Sequence, residues 1–324
     1  MFRRVILASL LLLGVASAQT ANRTILVLLK FKSELAFVDV MTKRITATVP
    51  VGEGPHEITL SGDGKKAYVA NYGAQTPGST ISIIDVSARK ELKRLDISPL
   101  RRPHGLFAVR DKVYVTTEVN RVVARIDTAK DEIDWIIGTG QPINHMVTGP
   151  KDGSALFTAN IAGNSVTRID VARATGPASD GVMTAPAGKQ PEAITISSDG
   201  TDVWVGANGE GTLTIFHAKT LQKKQTISGH KVPIRITFTP DGARVLISDP
   251  EASEVTIYDA AARKELKRLH VDGSPIGTVI TRDGKTAYVA SMQAGKIAVI
   301  NLATQNVTGY IEAPGGPDGI ALVE

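Results

Sequence analysis

The feature that most constrains this chain is a unit of about 42 residues that recurs along its length. The stretch from Gly54 to Leu95 shows it: PHEITL, KAYVAN, TISIIDV and KELKRLDI are four short runs divided by SGDG, a Gly/Pro-rich loop and a polar turn. The first three runs carry the β-branched and aromatic residues that suit a pleated sheet, and Gly, Asp, Asn and Ser mark the turns. A proline opens unit after unit, at Pro55, Pro103, Pro142, Pro191, Pro233, Pro275 and Pro317, with spacings of 48, 39, 49, 42, 42 and 42 residues. ARKELKRL at 88–95 returns letter for letter at 262–269. One such sheet cannot bury both of its faces, so the units must stack.

The seventh copy, from Gly316, supplies only a first strand. Three unassigned strands stand at the other end: TILVLLK from Thr24, ELAFVDV from Glu34 and KRITATVP from Lys43. Joining them closes a ring and removes open sheet edges. The chain therefore reads as an all-β seven-bladed β-propeller of four-stranded antiparallel blades, one domain over 19–324. ARKELKRL becomes an outermost strand whose charges form a solvated rim. The Gly/Ala/Pro-rich stretch 174–190 is expected to replace one outer strand with a loop. Trp135 and Trp204 are expected in packing. The Asp-Gly pairs are expected in turns on the face opposite the prolines, and Asn71, Asn160 and Asn208 as side-chain caps of the turns that follow them.

Residues 1–18 have the pattern of a secretory signal: Arg3 and Arg4, a mostly apolar run of 11 residues from Val5 to Val15, then Ala16-Ser17-Ala18. The run is short of the ~20 apolar residues that span a bilayer. Removal of 1–18 would leave an exported chain, periplasmic or extracellular, with no transmembrane segment, and a monomer is expected. The sequence has no cysteine, which excludes disulfides, thiolate metal sites and covalent c-type haem. The net charge of +5 falls to +3 without Arg3 and Arg4, and aromatics are 5% of the chain; a nucleic-acid partner is not expected.

The segments AYVANYGAQTPGSTISIIDV, LFTANIAGNSVTRIDV and AYVASMQAGKIAVINL resemble the YVTN-type β-propeller repeat. Similar propellers include surface-layer proteins, lactonase-like proteins, electron-transfer dehydrogenase subunits and the haem d1-binding domain of nitrite reductase, so the likeness implies the fold and no single chemistry. One blade, RPHGLFAV…KVYVTTEVNRVVARID (102–127), resembles a blade of the streptogramin B lyases. That resemblance implies elimination chemistry carried by His104 and Glu118, with His56 as a second histidine and a carboxylate-bound magnesium. Arg102 and Pro103 stand where that family has a carboxylate close before the histidine.

In a propeller, the start of each innermost strand and the end of the second strand share one channel mouth. Reading blade by blade gives His56 with Asn71, His104 with Glu118, Asn144 and His145 with Asn160, Glu192 with Asn208, Arg235 with Asp249, Ile276 with Ser291, and Asp318 with Lys30. Three of the six histidines thus fall on successive blades. The set His56, His104, His145, Glu192, Arg235 and Asp318 is expected to bind a small molecule or a protein partner at the mouth. His56, His104 and His145 could hold Zn²⁺ or another divalent ion, or one of them could ligate a haem iron. His104 and Glu118 could form an acid/base pair, with His56 assisting. The leading expectation is an exported binding or interaction protein. The alternatives are a metal-assisted lyase or lactonase-like enzyme, and an accessory subunit in periplasmic electron transfer.

Overall fold

The computed structural model describes residues 23–174 and 180–324; the expected signal peptide lies outside the described residues. The described chain forms seven four-stranded antiparallel sheets. Blade 1 joins Thr24–Leu29, Glu34–Asp39 and Arg44–Pro50 to the innermost strand Pro317–Val323. Blade 2 runs from Pro55 to Asp96, blade 3 from Pro103 to Gly138, blade 4 from Asn144 to Pro186, blade 5 from Pro191 to Ser228, blade 6 from Arg235 to His270 and blade 7 from Pro275 to Glu312. The ring closes where Ile25 pairs with Leu322 and Leu26 with Ala321. No helix among the described residues is long and apolar enough to cross a membrane.

Second strands are buried on both faces because each blade is covered by two neighbours. Ala155–Asn160 and Asp202–Ala207 are buried at every position. The apolar clusters accordingly straddle blades: Leu26, Leu28 and Phe37 of blade 1 pack on Ile58, Val69 and Ile84 of blade 2. Trp204 of blade 5 meets Phe238 and Tyr258 of blade 6 edge-on. Trp135 of blade 3 lies across Tyr114 and donates its indole N–H to the Ala174 carbonyl at 3.3 Å. At roughly 1.5–3 kcal/mol for each fully buried aliphatic or aromatic side chain, these inter-blade faces are the main source of stability in a chain without disulfides.

Two sequence expectations change. The stretch 174–190 does not lack an outer strand: Val182–Pro186 pairs with Ser165–Asp170 along five residues. The two ARKELKRL copies are outermost strands, but their charges do more than face water. Arg89 donates to Thr46 Oγ1 and stands over the Phe37 ring, both in blade 1. Arg263 donates to Asp202 and Gln225 in blade 5. Lys93 and Lys267 reach the other way, to the Asp131 carbonyl and Asn306 Oδ1. Each copy therefore ties both neighbours.

The proline that begins five of the seven innermost strands needs no ladder N–H, which suits a first strand position. In six of the seven blades the ladder slips at the next residue, as between Pro55 and Glu57 or between Pro191 and Ala193. A β-bulge of this kind re-aims a side chain. The residue before the slip is left-handed in the same six blades: Gly54, Arg102, Ile143, Gln190, Ser274 and Gly316. Asn144, not Pro142, fills the proline position of blade 4, since Asn144 pairs with Asn160 as Pro55 pairs with Asn71. The bulged residues are thus His56, His104, His145, Glu192, Ile276 and Asp318.

Candidate functional site at the channel mouth

Two layers of side chains surround the axis. The bulged residues form the first, completed in blade 6 by Ile234. The second layer is the next position along: Glu57, Gly105, Met146, Ala193, Arg235, Gly277 and Gly319. Arg235 belongs here rather than with His56, because it pairs with Ser248 as Glu57 pairs with the equivalent Ala70. The small residues let innermost strands meet. A Cβ on Gly105, Gly277 or Gly319 would lie 2.7, 2.3 or 2.6 Å from the carbonyl oxygen of His145, Asp318 or His56 on the next blade. Only Glu57, Met146 and Arg235 send long side chains inward from this layer.

Arg235 and Glu57 form an ion pair. They sit in blades 6 and 2, as nearly opposite as a ring of seven permits, so the pair bars the channel. Below and around it is a cavity of about 170 Å³, whose polar wall includes Lys30, His56, His104, Glu192 and Asp318. Ile234, Ile276 and Met292, from the side of blades 6 and 7, add apolar lining, and Met146 reaches the cavity from blade 4.

The polar wall is a chain of ion pairs. His145 Nδ1 contacts Glu118, and Nε2 lies 3.3 Å from Glu192. Tyr72 donates to the other oxygen of Glu118 at 2.7 Å, and Asn208 to Glu192 at 2.5 Å. Burial alone would push the His145 imidazole down, but hydrogen bonds to Glu118 and Glu192 outweigh it and raise it to about 9. Burial would raise Glu192, and His145 instead holds it below the usual carboxylate range. Asp318 is wholly buried, a condition that alone would raise it, yet His56, Lys30 and Arg235 keep it low. Its Oδ2 lies 2.7 Å from His56 Nδ1 and 3.4 Å from Lys30 Nζ, though neither oxygen receives a well-angled hydrogen bond. Lys30 Nζ is 2.8 Å from His56 Nε2 and 3.4 Å from Nδ1, which places it over the ring rather than along one lone pair.

His104 stands apart. It is 2% exposed and neither ring nitrogen has a partner. Its ring stacks on His145 at 3.5 Å between centroids and lies 4.6 Å from His56. Burial, followed by the charges of His145 and its neighbours, pushes it well below the ordinary imidazole value. It is therefore neutral at physiological pH, a hydrogen-bonding group with both ends unspent.

Two expected sites are corrected by this geometry. The acid/base pair of His104 with Glu118 is not formed: Glu118 is held by His145 and Tyr72. The metal set His56, His104 and His145 has its rings close together, but His104 lies stacked on His145 and tilted against His56. Among the described residues no group of three or more His, Asp or Glu side chains is arranged to hold a metal ion. Of the expected ligand-binding set, His56, His104, Glu192, Arg235 and Asp318 line one cavity and His145 lies behind it. Glu57, Met146 and Met292 were missed, although the second residue after each proline (Glu, Gly, Ala, Arg, Gly, Gly in the proline-headed blades) is variable in a way that marks the layer.

The asparagines also differ from expectation. Asn71 accepts from the Gly52 N–H and donates to the hydroxyls of Thr80 and Ser82. Asn160 donates to Ser165 and Thr167. They bind the inter-blade linker and the third strand rather than the turn that follows. The Asp-Gly turns are as read, with Gly64, Gly153, Gly200, Gly242 and Gly284 at φ of 66–72°.

Fold and site together define a seven-bladed β-propeller with a polar axial cavity at one mouth. The chain is 32% identical over 132 residues to the seven-bladed beta-propeller protein Rv1057 of Mycobacterium tuberculosis, an alignment that takes in 40% of this chain and 32% of that protein. It thus matches about a third of that relative's length. A functionally unknown protein from Desulfotomaculum acetoxidans superposes with a TM-score of 0.77 at 14% identity, over 93% of this chain and 99% of the other. Hydrazine synthase from Kuenenia stuttgartiensis superposes with a TM-score of 0.73 at 20% identity, over 84% and 90%. At these identities the likeness is one of fold. No family model matches the chain, the YVTN-type repeat included.

Proposed function

We propose that this chain is an exported binding protein whose ligand is a small molecule seated in the axial cavity at the His-lined mouth. The observation that carries the reading is His104, a buried imidazole with no partner on either nitrogen. It stands on the wall of a cavity where the carboxylates already have cationic neighbours. Buried polar groups are nearly always hydrogen-bonded, and one that is not marks a place where something else supplies the bond. The cavity of about 170 Å³ is below the ~300–1,000 Å³ of drug-sized sites, which points to a ligand of few atoms. Export rests on the leader pattern at 1–18, and its mark is a mature N-terminus at Gln19.

Thermal-shift measurement against a panel of small polar metabolites, with native mass spectrometry of protein from its natural host, tests the reading. At least one compound should raise the wild-type melting temperature and lose its effect in His104→Ala. A panel without effect on a protein that carries no retained ligand, or a shift that survives His104→Ala unchanged, would overturn it.

A further inference from the structure

The unspent groups on the cavity wall specify more than a polar ligand. Arg235 is buried across the axis with one nitrogen on Glu57. Its Nε has no partner, and Nη1 meets only the Met146 sulfur at 3.6 Å. A guanidinium offers five donors and suits a carboxylate. Asp318 presents the opposite need: both oxygens are buried without a well-angled donor. Arg235 and Asp318 line the same cavity without forming an ion pair with each other. His104, neutral and free at both nitrogens, can donate or accept. Facing these groups are Ile234, Ile276 and the two pliable methionines, Met146 and Met292.

Charge balance narrows the choice. Four carboxylates stand beside four basic side chains: Glu57 faces Arg235, Asp318 faces Lys30 and His56, and Glu118 and Glu192 share His145 and so depend on His56 for an equal count. A ligand of net charge would add an unmatched charge in a buried site, which is costly. A zwitterion adds none while supplying one acceptor end and one donor end. From this juxtaposition we infer that the cavity binds a small aliphatic α-amino acid, its carboxylate on Arg235, its ammonium on Asp318 and its side chain against Ile276 and the methionines. This rests on the proposed binding function and names its ligand class.

The test uses full-length mature protein labelled with ¹³C-methyl methionine, titrated with L-alanine and L-valine, and in parallel with propionate and ethylamine, which each lack one end. The amino acids should shift the Met146 and Met292 methyl resonances, and each control should bind weaker by on the order of tenfold or more, because it leaves a buried group unpaired. Asp318→Asn should bring alanine down toward propionate, and Arg235→Gln should weaken both. If Arg235→Gln does not fold, Arg235→Lys, which keeps the charge but loses the fork, and the wild-type comparison of alanine with propionate carry the test. Propionate binding as well as alanine, or an unchanged alanine titration in a folded Arg235 variant, overturns the inference. Should no amino acid bind while another compound does so in a His104-dependent way, the zwitterion inference falls alone. Should nothing perturb the methionines or the melting temperature, both readings fall.

Discussion

His145 and His104 are stacked imidazoles driven in opposite directions by their surroundings. His145 carries its proton up to about pH 9 in the folded protein, against about 6.5 unfolded. Its contribution to stability is therefore complete below about pH 6.5, declines between 6.5 and 9 and is gone above, with a ceiling of roughly 3 kcal/mol. His104 has the reverse sign: its folded form resists protonation, so stability falls as pH drops below about 6.5 and the unfolded chain takes up the proton. Urea denaturation of wild type and Glu118→Gln at pH 6 and pH 9.5 should show the variant much weaker at pH 6 and nearly equal at pH 9.5. By NMR, the His145 titration should move toward neutral pH in that variant. The sequence placed both histidines and Glu118 at the mouth correctly. It could not show that Glu118 reaches sideways to the next blade, because a repeat alignment fixes the register within a blade and not the offset between blades.

At the scale of the strand, the bulge at the head of six innermost strands does the positioning. It leaves no signature in composition, so sequence reading found most of the bulged residues through the proline and, Arg235 apart, missed the layer beside them. The outer strand Val182–Pro186 was illegible for another reason: only Val182 and Thr184 of its five residues prefer strands, it ends in proline, and it lies within a Gly/Ala/Pro-rich stretch, so its conformation shows only in the pairing with Ser165–Asp170. In the second layer a single methyl should disturb the cavity as well as the packing. Gly277→Ala would place a carbon 2.3 Å from the Asp318 carbonyl oxygen, backbone that cannot step aside. Its expected cost is about 1–3 kcal/mol from overpacking, along with a disturbed Asp318. Gly64→Ala is the comparison, since its Cβ meets nothing within 4 Å and its φ of +71° costs roughly 1–2 kcal/mol by backbone strain alone. Chemical denaturation gives the stabilities. The variants separate in ligand binding, which Gly277→Ala should impair and Gly64→Ala should not.

The ring as a whole depends on the strand Pro317–Val323, which pairs with Thr24–Leu29 and completes blade 1. Without it, the second strand of blade 1 would have an open edge and the wall facing blades 7 and 2 would lose Ile320 and Ala321. A chain ending at residue 316 should lose its single cooperative melting transition by circular dichroism. A circular permutant that links residue 324 to residue 23 and opens in an Asp-Gly turn should keep it, because Val323 already lies beside Thr24. Retention of a sharp transition by the truncated chain would show that the blades fold independently of closure.

The bar formed by Arg235 and Glu57 has one more consequence. The two residues occupy the same repeat position in two copies of one unit, and seven identical copies could never make that bond, since like would face like across the axis. The cavity wall is uneven for the same reason, with charged and imidazole groups from blades 1, 2, 3 and 5 and mostly aliphatic ones from blades 6 and 7. A chain averaged over its own seven units would close as well and would have nothing at its centre with which to tell one molecule from another. Selectivity at the proposed site would have to come from the places where its copies have ceased to agree.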